Sequence, residues 1–230
     1  MIKGYIFDYG GTLDTGGCHW GKVFWHLYQR LHVPVSEAQF REAYVYAERT
    51  LGRHPIIRPD FTFLQTLEAK VRLQMECLHT YDSQFVAANY VPFIVKAAYE
   101  QTQAHTAHSR DVLLTLKQDY PLVLVSNFYG NIHTVLQEFG LDTLFCDVIE
   151  SAVVGIRKPD PRIFSLGVEA LAVRPEETVV VGDSMTKDII PAKQTGCHTV
   201  WYQGEQWDDT PIDLTIPDRI IHDLSTILLA

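Results

Sequence analysis

Hydrophobic and polar positions change rhythm twice along this chain. The first apolar run is Tyr5-Ile6-Phe7, which stops at Asp8 against a glycine-rich stretch from Gly10 to Gly21. A run this short, closed by glycines, predicts a strand ending at Asp8. From Trp20 the apolar residues recur at helical spacing instead. Trp20 to Leu31 predicts one helix. Ser36-Glu37 opens a second, with Phe40, Ala43, Tyr44 and Ala47 on one face. Pro55 and Pro59 break the pattern between Leu51 and Asp60. Phe61 to Leu78 and Phe85 to Tyr99 predict two more helices, the second kinked or ended by Pro92.

Beyond about residue 105 the rhythm becomes an alternation. A helix is predicted over Arg110 to Lys117, then a buried strand over Pro121 to Val125. A helix over Asn131 to Phe139 stops at Gly140, and Asp147-Val148-Ile149 is a short strand candidate. Pro161 to Leu171 predicts a helix with proline in its first turn. Thr178 to Val181 predicts a strand, Lys187 to Thr195 a helix ending at Gly196, and His198 to Trp201 a further strand. Arg219-Ile220-Ile221 predicts another. Continuous Val/Leu/Ile runs separated by helices indicate a parallel sheet covered on both faces. The predicted fold class is therefore α/β, a Rossmann-like doubly wound parallel sheet with an inserted all-helical cap. The core takes residues 1–16 and 97–230, and the cap residues 17–96.

At 230 residues the chain suits one large domain, or one domain with an insert. A net charge of -9 with no basic tract argues against a nucleic-acid partner. No apolar run approaches membrane-spanning length, so no membrane role is expected. Met1-Ile2-Lys3-Gly4 enters the first strand without the pattern of a signal peptide. Cys18, Cys77, Cys146 and Cys197 are far apart and form no CxxC pair. Free thiols and a cytoplasmic location are the expectation.

Four short segments carry candidate chemistry. The first is Phe7-Asp8-Tyr9-Gly10-Gly11-Thr12-Leu13-Asp14, a carboxylate at a strand's C-terminal end facing a flexible loop. That is where open α/β sheets bind their ligands. The second is Ser126-Asn127, directly after the strand that ends at Val125. The third is Lys158-Pro159, before a helix, and the fourth runs from Gly182-Asp183-Ser184 to Asp188. Singly, each occurs by chance in many chains. In this order, at strand ends and helix starts, they form a strong signal. His105 and His108, by contrast, sit at metal-like spacing with no acidic companion and predict only a solvated helix or loop edge.

Together the four segments resemble the four motifs of the haloacid dehalogenase-like (HAD) hydrolases, in order and across almost the whole predicted core. The resemblance implies a hydrolase of phosphatase type acting through an aspartyl phosphate on Asp8. It implies Mg2+ held by Asp8, by the backbone carbonyl of Gly10 and by Asp183, with Asp188 direct or through water. Ser126 and Asn127 would bind the phosphate, Lys158 would place charge beside it, and Thr12 would brace the loop. The implied substrate is a small phosphorylated molecule closed over by the cap. His19 and Trp20 are candidates to touch it, although the cluster Trp20, Phe24, Trp25 and Tyr28 also fits plain packing.

The chain departs from the family pattern at Gly10, where phosphatases carry a second Asp that serves as general acid and base. Three readings stay open. One is a phosphatase with weak or unusual activity, with Asp14, Tyr9 and His19 near in sequence to the missing group. Another is phosphonatase- or dehalogenase-like chemistry, the former needing a cap lysine such as Lys22 or Lys70. The last is a catalytically weak protein that binds a phosphorylated ligand.

Overall fold

The computed structural model describes residues 1–82, 89–208 and 211–229. Six strands form one sheet in the order β3-β2-β1-β4-β5-β6: β1 Gly4–Phe7, β2 Leu122–Ser126, β3 Asp147–Glu150, β4 Thr178–Gly182, β5 His198–Tyr202 and β6 Arg219–Ile221. Every pairing is parallel. β1 lies at the centre, with Phe7 opposite Leu124 of β2 and Val181 of β4. Strands β1, β2 and β4 are buried throughout. Burial on both faces explains why they read as continuous apolar runs rather than alternating ones.

Side chains along β1 alternate between two cores. Ile6 joins Val123, Val125 and Val180 under Ile163 and Phe164 of α7 (Arg162–Leu171). That helix lies close because of Gly167, where a Cβ would come 2.8 Å from Ile6 Cδ1 and 2.9 Å from Val125 Cγ2. Tyr5 and Phe7 face the larger core, which continues into the helical stretch.

That stretch comprises α1 (Trp20–Arg30), α2 (Glu37–Arg53), α3 (Phe63–His79) and α4 (Val91–Leu116). Ser36 and Thr62 each close a capping box with a Gln three residues on, which sets the starts of α2 and α3. The start of the expected Phe85–Tyr99 helix lies outside the described residues, up to position 88. From Val91 the two expected helices are one, and α4 runs unbroken through residue 97. Pro92 sits in its first turn, where a missing N–H costs nothing, so it starts the helix instead of kinking it. The buried stripe of α4 passes through Thr102, Thr106 and Ser109, small polar residues that mask the apolar period. Thr106 Oγ1 donates to the carbonyl of Thr102 at 2.8 Å and Ser109 Oγ to that of Leu13 at 2.8 Å, while the Thr102 hydroxyl is buried without a partner among the described residues.

Shorter elements complete the core: α5 (Ile132–Glu138), α6 (Ser151–Val154) and α8 (Ile190–Gln194). The expected Lys187–Thr195 helix is split. Met185–Ile189 winds as a wider π turn, closed by the Ile190 N–H on the Met185 carbonyl, and only then does α8 begin. Pro191 has no N–H to offer a regular helix here, and π turns gather at functional sites. A 3-10 turn over Leu224–Leu229 ends the described chain.

Candidate active site

Asp8 follows β1 and extends the ladder by one bond, its N–H donating to Val181 O at 3.0 Å. The chain then turns sharply. Gly11 has φ +101, and a Cβ there would lie 2.4 Å from the Asp183 carboxylate, so only glycine fits. Gly11 N–H donates to Asp14 Oδ1 at 2.7 Å, and Trp20 Nε1 donates to Asp14 Oδ2 at 2.9 Å. Both Asp14 oxygens are thus committed to the loop. Burial pushes the Asp14 carboxyl up to about 7, against the pull of those two donors.

The structure brings five of the expected site residues into direct contact. Lys158 Nζ lies 2.6 Å from Asp8 Oδ1 and 2.7 Å from Asp188 Oδ1. Thr12 Oγ1 donates to Asp8 Oδ2 at 2.9 Å and lies 3.3 Å from Asp183 Oδ1. The π turn brings the Asp188 carboxylate back onto Ser184 N–H at 3.0 Å. Trp201 Nε1 fixes the Asp183 carbonyl at 2.7 Å. Lys158 is itself held by Asn127, whose side-chain amide bonds the Lys158 N–H at 2.9 Å and carbonyl at 3.1 Å. Ser126 Oγ is buried with no hydrogen-bond partner among the described residues. A buried hydroxyl left in that state is available to a ligand oxygen.

Charge is concentrated here. Asp8, Asp183 and Asp188 are all buried, and each offers a carboxylate oxygen within 4.8 Å of the others. Burial raises Asp8 to about 6; Lys158 opposes the shift and Asp188 adds to it. Asp183 is raised well above the usual range by burial, then by Asp188 and Asp8. Burial alone would lower the Lys158 ammonium, but Asp188 and Asp8 override it and raise it. Three buried carboxylates share this one lysine, which touches two of them. Their hard oxygen donors and uncompensated charge fit a divalent cation such as Mg2+.

A cavity of about 190 Å3 opens over this cluster. Asp8, Gly10, Asn127, Lys158, Asp183 and Asp188 contribute its floor, and His19, Trp20, Tyr44 and Phe63 its walls. Gly10 is exposed to it. His19 caps α1, its Nδ1 accepting from Gly21 N–H at 3.0 Å, and burial lowers it to about 4. It is therefore neutral, with its proton on Nε2. Tyr9 is fully buried, edge-on to Phe63 and Phe128, and does not line the cavity.

Of the two lysines that phosphonatase chemistry would call on, Lys70 lines the cavity and Lys22 does not, and Lys70 comes with two companions that no motif announces. Lys70 Nζ lies 2.7 Å from Glu48 Oε1, and Tyr129 OH donates to Glu48 Oε2 at 2.8 Å. All three residues line the cavity. Burial opposes the charge on Lys70, but Glu48 and Tyr129 more than restore it. Lys70 follows Phe63, Thr66 and Leu67 on the buried stripe of α3, and Val71 and Gln74 come next. A lysine on that stripe was the available signal.

A parallel α/β sheet with a buried carboxylate just after its central strand, two more acids after β4 and a lysine beyond β3 has the layout of a strand-end active site. A sequence profile of the haloacid dehalogenase-like hydrolases matches residues 2–196, and the chain belongs to that family. It is 29% identical to the phosphoglycolate phosphatase of Vibrio cholerae, over 84% of this chain and 80% of that one. It is 33% identical to the phosphoserine phosphatase of Thermus thermophilus, over 57% and 50%. The chain spans half or less of the length of several curated relatives that it matches. In fold it resembles a HAD-hydrolase of Bacillus subtilis bound to magnesium, with a TM-score of 0.62, 20% identity and coverage of 99% and 97%. No helix among the described residues is long and apolar enough to cross a membrane.

Proposed function

We propose that this chain is a Mg2+-dependent phosphatase of a small phosphorylated metabolite, acting in the cytoplasm through an aspartyl phosphate on Asp8. The observation that carries this reading is the Asp8 carboxylate, bound by Thr12 and Lys158 at the floor of a small cavity beside Asp183 and Asp188. At about 190 Å3 the cavity is below the ~300 to 1,000 Å3 of drug-sized sites, which favours a small substrate. The phosphatase names of the relatives from Vibrio cholerae and Thermus thermophilus support the same reaction.

Asp8, Asp183 and the Gly10 backbone carbonyl would hold Mg2+, with Asp188 acting directly or through water. The metal would offset the repulsion between the Asp8 carboxylate and the phosphate dianion. Gly10 costs this site nothing, because its contribution is main chain. One Asp8 carboxylate oxygen attacks phosphorus, and the bond to the leaving oxygen breaks with its electron pair. Asn127 holds the phosphate oxygens at the cavity surface, Ser126 offers its unpartnered hydroxyl from just behind it, and Lys158 keeps positive charge beside Asp8. Water then attacks phosphorus, freeing inorganic phosphate and restoring the Asp8 carboxylate.

Nothing at position 10 can protonate the leaving oxygen. His19 caps α1 through Nδ1 and is held as a neutral imidazole, whose remaining N–H is no useful acid, and Asp14 uses both oxygens to shape the loop, so neither replaces the missing acid. Substrates with good leaving groups need no acid. Lys70 is an ion-paired ammonium, which counts against its acting as a Schiff-base amine in phosphonatase chemistry. The test is phosphate release from p-nitrophenyl phosphate and acetyl phosphate with excess Mg2+. Turnover that Asp8→Asn abolishes is expected. Equal turnover in that variant overturns the assignment of Asp8, and none in the folded wild type leaves a ligand-binding role.

A further inference from the structure

The groove that leads into the cavity is lined by Arg49 and Arg53 of α2, by Arg157, and by Lys187 of the π turn. Arg157 and Lys187 also line the cavity itself, so groove and cavity are continuous. All four side chains are exposed, and none forms an ion pair with any described residue. The one acid in the groove, Glu48, is already bound by Lys70.

This gathering runs against the net charge of the whole chain, which is -9. It also runs against local preference. Arg49 and Arg53 stand one helical turn apart, and like charges at that spacing destabilise a helix. The other two flank the chemistry, Arg157 just before Lys158 and Lys187 just before Asp188. Between the cationic rim and the acidic floor lie neutral groups: His19 with its Nε2 proton, Tyr44 and Trp20. The passage thus presents a metal-and-phosphate floor, walls whose one acid and one lysine, Glu48 and Lys70, neutralise each other, and a rim of unpaired cations.

We infer that this rim is a second anion subsite, and that the substrate carries a carboxylate or a second phosphate at the far end of its leaving group. The inference rests on the phosphatase reading for the identity of the first anion. A guanidinium offers paired donors that match either terminal group. The rim also draws such a dianion toward the mouth of a protein that otherwise repels it.

The test compares three alkyl phosphates, ethyl phosphate, 3-phosphooxypropanoate and propane-1,3-diyl bisphosphate, in the wild type and in Arg49→Gln/Arg53→Gln. Both substitutions are on exposed cap residues away from Asp8. The wild type is expected to show kcat/KM at least tenfold higher for a tailed substrate than for ethyl phosphate. The better of the two tails identifies the terminal group. The double variant should lose most of that preference, with ethyl phosphate unchanged, and 0.5 M NaCl should shrink it. Equal kcat/KM for all three in the wild type, or the same proportional loss for all three in the variant, overturns the subsite.

Should no ester turn over, calorimetric binding of the same compounds and of inorganic phosphate to Mg2+-loaded protein separates the two claims. Tighter binding of a tailed compound, lost in the double variant, upholds the rim while the phosphatase reading fails. Equal binding of tailed and untailed compounds overturns the rim.

Discussion

Gly10→Asp restores the side chain that family phosphatases use as acid and base, and the structure gives it room. A Cβ at Gly10 meets nothing within 4 Å, and the residue is exposed at the cavity that Asp8 lines. Gly11, Gly16 and Gly17 need the left-handed region, but Gly10 is not among the glycines with positive φ. The substitution therefore introduces neither a clash nor a strained backbone, and it leaves the Gly10 carbonyl in place. General acid–base catalysis contributes about 10² to 10⁴ in rate, or roughly 3 to 5 kcal/mol of barrier. That gain applies only where the leaving oxygen needs a proton. The expected outcome is a rise in kcat of about 10² or more for an alkyl phosphate and little change for p-nitrophenyl phosphate, whose anion departs unaided. The assay is steady-state phosphate release from both esters at saturating Mg2+, with unchanged melting as the check on folding. Equal gains on both esters, or no gain on either from a folded variant, would refute the missing-acid explanation.

Gly11→Ala forces a Cβ to within 2.4 Å of the Asp183 carboxylate at φ +101, and should lose turnover along with at least about 1 kcal/mol in urea unfolding. Lys70→Met strands the half-buried Glu48 charge and should cost about 1 to 3 kcal/mol, most of it recovered by adding Glu48→Gln; no recovery would deny the ion pair this role. His19 has a folded pKa of about 4 against 6.5 when unfolded, so its contribution is complete above pH 6.5 and is lost as pH falls toward 4. That loss amounts to roughly 3 kcal/mol. Asp14, raised to about 7, acts in the opposite sense, its share declining as pH rises from about 4 to 7. The informative quantity is thus the difference between wild type and His19→Asn, which keeps a capping side chain and should flatten the acid limb. Parallel stability curves for the two would contradict the buried neutral imidazole.

The centre of the sheet and three of the four motifs were legible in the sequence because β1, β2 and β4 are largely apolar runs with a motif just after each. The run ending at Val125 and the run ending at Val181 both became strands beside β1. Less legible was anything resting on side-chain burial across elements. Thr102, Thr106 and Ser109 disguise the length of α4, since all three are polar residues on its buried stripe, Thr106 and Ser109 with their hydroxyls bonded to backbone carbonyls. The split before α8 turns on one proline and a π turn that no periodicity announces. Within the site, Asp8, Thr12, Lys158, Asp183 and Asp188 converge, while Asn127, His19 and Trp20 line the cavity. Thr12 and Ser126 stand behind its surface. Lys70, Glu48 and Tyr129 come from three separate elements, so no local spacing could join them.

The central position of β1 also governs when this protein can assemble. Tyr5 finds its neighbours in Leu122 on one side and Val179 on the other, so β1 must wait for more than a hundred later residues before either edge is covered. Closing such long loops comes before the contacts that reward it, which makes folding slow. The helices α1 to α4 need no such partners and can pair locally first. A truncation that ends before β4 would leave Tyr5-Ile6-Phe7 with an open strand edge, and that fragment should aggregate instead of folding.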